Sequence, residues 1–279
     1  MDILRLIPSR FRTKKQLIIT ITVLVLILIS TVCLICLSRQ ARDLNDVLKD
    51  QTLRVVTEYS SIGYFVEDNE IKGFQYELIT RFADSLGLKV EFTLEPDLQK
   101  SIDGVNDGSY DLIMRAIPVT LELKKKLIFS EPLIKSKLVL VRRSDAKNKN
   151  KLIIRGSSDL DGITIYVTPN SPHLMRLKHI EEELGIVIYT ESLPDVDNEL
   201  LMAMVARGEI DYTIADEFTA RFVQTFYPEL DISTQIGFKQ FQAWGFSKQS
   251  IKLQQAVNGW LKEFTQTKEY RDLYRTYYR

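Results

Sequence analysis

Hydrophobic positions fall into two textures along this chain. The first is an unbroken run from Leu17 to Leu37, LIITITVLVLILISTVCLICL, twenty-one residues without a charge. About 20 consecutive apolar residues span the roughly 30 Å hydrocarbon core of a bilayer as a helix, so this run predicts a transmembrane helix. The second texture begins at Leu53, where β-branched clusters alternate with apolar residues at helical spacing. LRVVTEY from Leu53 and VEFTL, Val90 to Leu94, read as strands. Between them Phe74, Leu78, Phe82 and Leu86 stripe a helix that Gly73 opens and Gly87 ends. Leu98, Ile102 and Val105 predict a short helix up to Gly108, and DLIMRAI from Asp111 predicts a third strand. Strand, helix, strand, helix, strand is the order of a largely parallel α/β sheet, because parallel neighbours need crossover helices.

The same order returns further on. ITIYV, Ile163 to Val167, is a strand; Leu174, Leu177, Ile180 and Leu184 stripe a helix ended by Gly185; IVIYT, Ile186 to Thr190, is the next strand. Leu200, Leu201, Met204 and Val205 predict another helix, and IDYTIA from Ile210 another strand. NDGSYDLIMRA and ARGEIDYTIAD each set a helix-ending Gly three residues before an Asp that opens a strand. This fits two similarly built lobes, although such a cap recurs in any α/β protein. AWGFSK, Ala243 to Lys248, then reads as a strand, Ala256, Val257, Trp260, Leu261 and Phe264 as a helical face, and Tyr270, Leu273, Tyr274 and Tyr277 as a last aromatic helix. That tail suits a chain crossing from lobe one to lobe two near Leu133 to Leu138 and back near Gln235 to Gln242. The expected organisation is a basic segment at 1–16, a transmembrane helix at 17–37, a stalk at 38–52, lobe one at 53–135 with 240–279, and lobe two at 136–239.

Charge orients the apolar run. Arg5, Arg10, Arg12, Lys14 and Lys15 precede it against a single Asp2, and basic residues beside a span stay cytoplasmic. The run therefore reads as a signal anchor with the folded part outside. A cleaved signal peptide is the rival, with Cys36-Leu37-Ser38 as its site. Lipidation is a third reading, weakened because Val32 and Ile35 precede Cys33 and Cys36. Those are the two cysteines of the chain, which leaves the remainder without a disulfide, a thiol nucleophile or a cysteine-bound metal. His173 and His179 are the only histidines, so no metal site is expected. Thirty-seven basic residues balance thirty-seven acidic ones, which gives no electrostatic reason for a nucleic-acid partner. No phosphate-loop, dinucleotide or nucleophile-elbow pattern appears, so neither a cofactor nor a catalytic residue is expected. Glu181-Glu182-Glu183 beside Lys178 reads as a solvated helix face.

Four stretches carry a family resemblance: GFQYELITRFADSLGLKVEF at 73 to 92, DGSYDLIMRAIPVTLELKKKLIFSEPL at 107 to 133, GEIDYTIADEFTARFVQTFYPEL at 208 to 230, and AWGFSK. In order and spacing they resemble the bacterial extracellular solute-binding proteins of family 3, the type 2 periplasmic-binding fold, from Leu53 to Tyr278. Within that group they look most like the N-terminal substrate-binding-like domain of membrane-bound lytic transglycosylase F. The resemblance implies a two-lobed α/β fold, here preceded by one transmembrane helix, that closes on a small polar solute by hinge motion. It also implies an arginine for a ligand carboxylate and an acidic residue of lobe two for an ammonium. The acid matches Asp216, whose alternative role is to cap the helix starting at Glu217.

The arginine is missing, because Thr120, Leu121, Glu122 and Leu123 stand where the family pattern ends in Arg. Arg115 is the compensating candidate, since a planar guanidinium grips a carboxylate through two parallel bonds. Its alternative is an intramolecular salt bridge. Pro118 removes a hydroxyl and a backbone N–H from the same loop. Thr120, Glu58, Tyr64, Ile117 and Leu98 complete the ligand-binding candidates in lobe one, with packing the alternative for Tyr64. Asn170 and Ser171 join Asp216 as those of lobe two, with helix capping the alternative. His173 reads as a helix-start residue and Trp244 as structural.

Two functions follow from the resemblance. One is capture of an amino acid, peptide or muropeptide-like solute for transport or sensing, with the cytoplasmic membrane and a membrane transporter or cell-wall hydrolase as partners. The other is a regulatory module docking on a cell-wall enzyme. Enzymatic activity is not expected, because the chain reaches RDLYRTYYR where the lysozyme-like catalytic domain of the resembled transglycosylase would begin. The expected location is the bacterial cytoplasmic membrane, single-pass, with the folded domain in the periplasm.

Overall fold

The structure is a computed structural model that describes residues 19–28, 30, 40–144, 153–193 and 196–278. Residues 1–40 form one unit and Ala41–Arg279 another. In the first unit residues 19–28 are helical (α1). Among the described residues no helix is long and apolar enough to cross a membrane. This overturns the transmembrane helix expected over Leu17–Leu37, and with it the signal anchor and the single-pass membrane location. The basic segment 1–16, the cleavage and lipidation alternatives, and the remainder of the apolar run lie outside the described residues.

The second unit starts earlier than the sequence pattern implies. Residues 38–52 are expected as a stalk, yet α2 (Leu44–Asp50) buries Val47 completely. The Asp43 carboxylate accepts from Leu44 N and, far along the chain, from Leu253 N at 2.8 Å. Ser250 Oγ donates to Arg42 O at 2.6 Å. From Ala41 onward this stretch is therefore part of the folded body.

Alternation along two parallel strands builds the first lobe. β1 (Thr52–Thr57) is followed by the hairpin β2 (Phe65–Glu67) and β3 (Glu70–Lys72), α3 (Phe74–Ser85), β4 (Lys89–Leu94), α4 (Leu98–Asn106), β5 (Leu112–Pro118), α5 (Leu121–Lys126) and β6 (Leu127–Phe129). β1 lies between β4 and β5, parallel to both. Leu53, Val55, Leu112 and Met114 face Phe74, Leu78 and Phe82 of α3; Val56, Ile113 and Ile117 face Leu98, Ile102 and Val105 of α4. Period-two strands thus feed two cores, one on each face. Each fully buried aliphatic or aromatic side chain contributes roughly 1.5–3 kcal/mol.

β7 (Ile134–Arg143) carries the chain into the second lobe, which adds β8 (Thr164–Val167), α6 (Pro172–Leu184), β9 (Tyr189–Ser192), α7 (Asn198–Arg207), β10 (Tyr212–Asp216), α8 (Glu217–Phe226) and β11 (Leu230–Asp231). β7 alternates in the same way: Leu138 and Leu140 enter one core with Ile165 and Leu177, while Val139 and Val141 enter another with Leu201 and Val205. β12 (Gln235–Ser247) returns, antiparallel to β7 at one end and to β5 at the other, before α9 (Ile251–Phe264) and α10 (Lys268–Tyr277) close on the first lobe. The main path of the sheet is β4-β1-β5-β12-β7-β10-β8-β9, so β7 and β12 are the two strands shared by both lobes.

Candidate functional site

β5 positions the most unusual side chain. Ile113 and Ile117 point to the α4 core, and the same two-residue period turns Arg115 to their side. Arg115 is only 6% exposed. Burying a guanidinium without partners is costly, and here the partners are local: Nη2 pairs with Glu58 Oε2, and Nη1 donates to Pro96 O at 3.2 Å. Glu58 follows β1 directly, so the β1–β5 register, Val56 opposite Ile113, brings the two together. Burial pushes the Glu58 carboxyl above its ordinary pKa; Arg115 draws it down, and Asp197 and Glu199 of the second lobe push it up again. From that lobe His173, in the first turn of α6, also feels this charge. Burial and then Arg115 lower its pKa to about 4, and its Nδ1 is buried without a partner. The imidazole is therefore neutral at physiological pH.

Around this pair the lobes are joined by side chains from helix N-termini. Asp197 caps α7, accepting from Leu200 N at 2.7 Å, and sets Glu199 in its first turn. Glu199 Oε1 accepts from Ser61 N of the first lobe at 2.8 Å, and Oε2 accepts from Ser61 Oγ. Burial raises the Glu199 pKa, the two Ser61 bonds lower it, and Asp197 raises it. Asp97 caps α4 through Gln99 N, and its other oxygen accepts from Asn170 Nδ2 across the cleft at 2.9 Å. Burial works against the Asp97 charge, but the bond from Asn170 and those from two amides bring its pKa below the ordinary value. His179 Nε2 lies 3.6 Å from Glu122 Oε2. Between α5 and α6 remains a cavity of about 10 Å³, lined by Pro118, Thr120, Leu123, Met175 and Gln240 among others, about the room of one water.

The remaining sequence candidates divide by environment. Asp216 caps α8, Oδ1 accepting from Phe218 N at 3.0 Å, and Oδ2 accepts from Gln242 Nε2 of β12 at 2.9 Å. Ser136 of β7 also bonds this carboxyl, which burial holds above its ordinary pKa. Asp216 thereby fastens β10 to both shared strands. Thr120 caps α5 through Leu123 N and lines the small cavity. Ser171 caps α6, accepting from Leu174 N and donating to Thr168 O at 2.7 Å. Asn170 has a left-handed backbone, φ 52°, which aims its amide across the cleft. Tyr64, Ile117 and Leu98 are core residues. Tyr64 packs between Tyr76 and Phe92, and Ile117 and Leu98 are at most 2% exposed. Trp244 is fully buried, donating from Nε1 to Gln75 Oε1.

Residues 53–279 match the family model of bacterial extracellular solute-binding proteins, family 3. The chain belongs to that family. It is 29% identical over 242 residues to membrane-bound lytic murein transglycosylase F of Saccharophagus degradans, which covers 86% of this chain and 47% of that protein. The same-named protein of Shewanella woodyi is 32% identical over 194 residues, 69% of this chain and 38% of that one. The chain thus spans less than half the length of these curated relatives. Among solved structures it is similar to a mutant of ArgBP from T. maritima, with TM-score 0.73 and 21% identity over 84% of this chain and 98% of the other. An ancestral arginine-binding protein bound to arginine gives TM-score 0.71 and 22% identity, covering 82% and 99%. At such identity these likenesses establish the two-lobed fold.

Within this family architecture, Ser61, Glu199, Asp197 and Asp97 join the candidate site as residues that the sequence pattern does not single out. The two aspartates carry the signal of a helix cap, an acid just before an apolar stripe. Nothing local marks Ser61 or Glu199, since their partnership spans 138 positions of the chain.

Proposed function

We propose that this chain captures a small polar solute, an amino acid, a peptide or a muropeptide-like fragment, between its two lobes, for delivery to a transporter or for sensing. The lobes are proposed as 53–135 with 240–279, and 136–239. The observation that carries the reading is the set of polar bonds crossing the cleft, Ser61 to Glu199 and Asn170 to Asp97, together with the pair of buried Arg115 and half-exposed Glu58. A cleft whose rims bond to each other closes by rotation about the shared strands and excludes water from whatever it encloses. Glu58, Arg115, Thr120, Asn170, Ser171 and Asp216 are the proposed contact or positioning residues.

A second reading has its own support. The curated relatives at 29% and 32% identity are lytic murein transglycosylases, which favours an accessory module that docks on a cell-wall hydrolase. A thermal-shift screen of the full-length chain against amino acids, dipeptides and soluble muropeptides separates the two, because a ligand bound only by the native state raises its apparent stability. The proposal expects a concentration-dependent rise with at least one compound class. A flat response to every class, together with co-purification of a cell-wall hydrolase, favours docking.

A further inference from the structure

This inference rests on the solute-capture reading and concerns which solutes the cleft refuses. Among the described residues Arg115 is the only buried lysine or arginine. A guanidinium recruits a ligand carboxylate by offering parallel N–H groups and an unneutralised charge. In this chain the protein supplies that carboxylate itself, because Glu58 Oε2 pairs with Nη2 and Pro96 O takes Nη1. Glu58 is also the outer member of the pair, its side chain 34% exposed against 6% for Arg115. The surface presented to a solute is therefore the acid. His173, the histidine that feels the Arg115 charge, adds no cation, since its surroundings hold it neutral. Asp197 and Glu199 add negative charge from the opposite lobe. A free carboxylate entering here loses water without gaining a cation, which is expensive. An amine entering the same space meets carboxylate acceptors.

We infer that Glu58 is a specificity-determining residue: by occupying Arg115 it bars solutes recognised through a free carboxylate and favours solutes that present an amine. Isothermal titration calorimetry of the full-length chain with agmatine and L-arginine tests this, because the two share the guanidinium-bearing chain and differ in the carboxylate. Wild type binds agmatine at least about tenfold more tightly than L-arginine, a factor worth ~1.4 kcal/mol. Glu58→Gln tightens L-arginine by a similar factor, and Glu58→Gln with Arg115→Met loses that gain. Circular dichroism checks that both variants fold, and the wild-type comparison decides without them. Wild type binding L-arginine as tightly as agmatine, or Glu58→Gln leaving the ratio unchanged, overturns the inference while solute capture stands. Silence of both probes on all three proteins overturns the inference, and the thermal-shift screen against dipeptides and muropeptides then decides the capture reading by itself.

Discussion

His173 ties the interior of the cleft to pH. Its imidazole, lowered to about 4 by burial and by the Arg115 charge, stays neutral in the folded chain, whereas an unfolded histidine takes up a proton near pH 6.5. A base depressed by folding stabilises the fold fully above the unfolded value, and that stabilisation is lost as pH falls from there towards the folded value. The window lies between about pH 6.5 and 4, and the loss is on the order of 3 kcal/mol. His173→Asn should remove this dependence. Urea denaturation at pH 7 and pH 4.5 is then expected to show a smaller difference for the variant than for wild type. Equal differences would mean that the imidazole protonates freely in the fold. Asp216 gives a second test at this scale. Asp216→Ala removes a helix cap and the bonds to Gln242 and Ser136, so it should cost roughly 1–3 kcal/mol in a denaturant titration. A cost below a few tenths would show that these bonds are not maintained in solution.

At the scale of elements, Gly73 holds the β2–β3 hairpin against the start of α3. Its φ is +130°, and a Cβ there would lie 2.3 Å from Gly63 O, so both backbone conformation and space require glycine. Gly73→Ala should destabilise by on the order of 3 kcal/mol, read as a lowered denaturation midpoint. A near-neutral effect would mean that the hairpin departs from this position. Much of the element order is legible in the sequence because stripes such as Phe74, Leu78 and Phe82 carry the helical period, and Gly185 and Gly208 end helices in left-handed conformations. The misses have local causes. Residues 186–188 are apolar and read as strand, but Asp161 and Glu181 side chains take the amides of Val187 and Ile188, and β9 begins only at Tyr189. β12 extends back to Gln235 because β7 is there to pair with it, a partner that no local pattern reveals. The oddity of Arg115 was legible as a charge between Ile113 and Ile117. Its pairing with Glu58 was not, since it depends on the register of two strands far apart in the chain.

For the whole molecule, the account makes lobe closure a matter of few bonds on a hinge of two strands. Glu199→Ala deletes both acceptors of Ser61, whereas Ser61→Ala removes only the hydroxyl and keeps the amide donor. If these bonds hold the lobes together, hydrogen exchange at the backbone amide of position 61 accelerates strongly in the first variant and weakly in the second. Equal exchange in both would remove the carboxylate from the closing device. The family assignment and the two-lobed fold were accessible from sequence; the apolar run from Leu17 was misleading, because length and hydropathy set only a prior on membrane crossing. Exchange at this same amide tests the central claim most directly, measured by NMR on the wild-type chain while it is titrated with the compound that most raises its thermal stability. Capture by closure predicts that Ser61 exchange slows on saturation, in step with binding. Binding that leaves Ser61 exchange unchanged would contradict solute capture between the lobes.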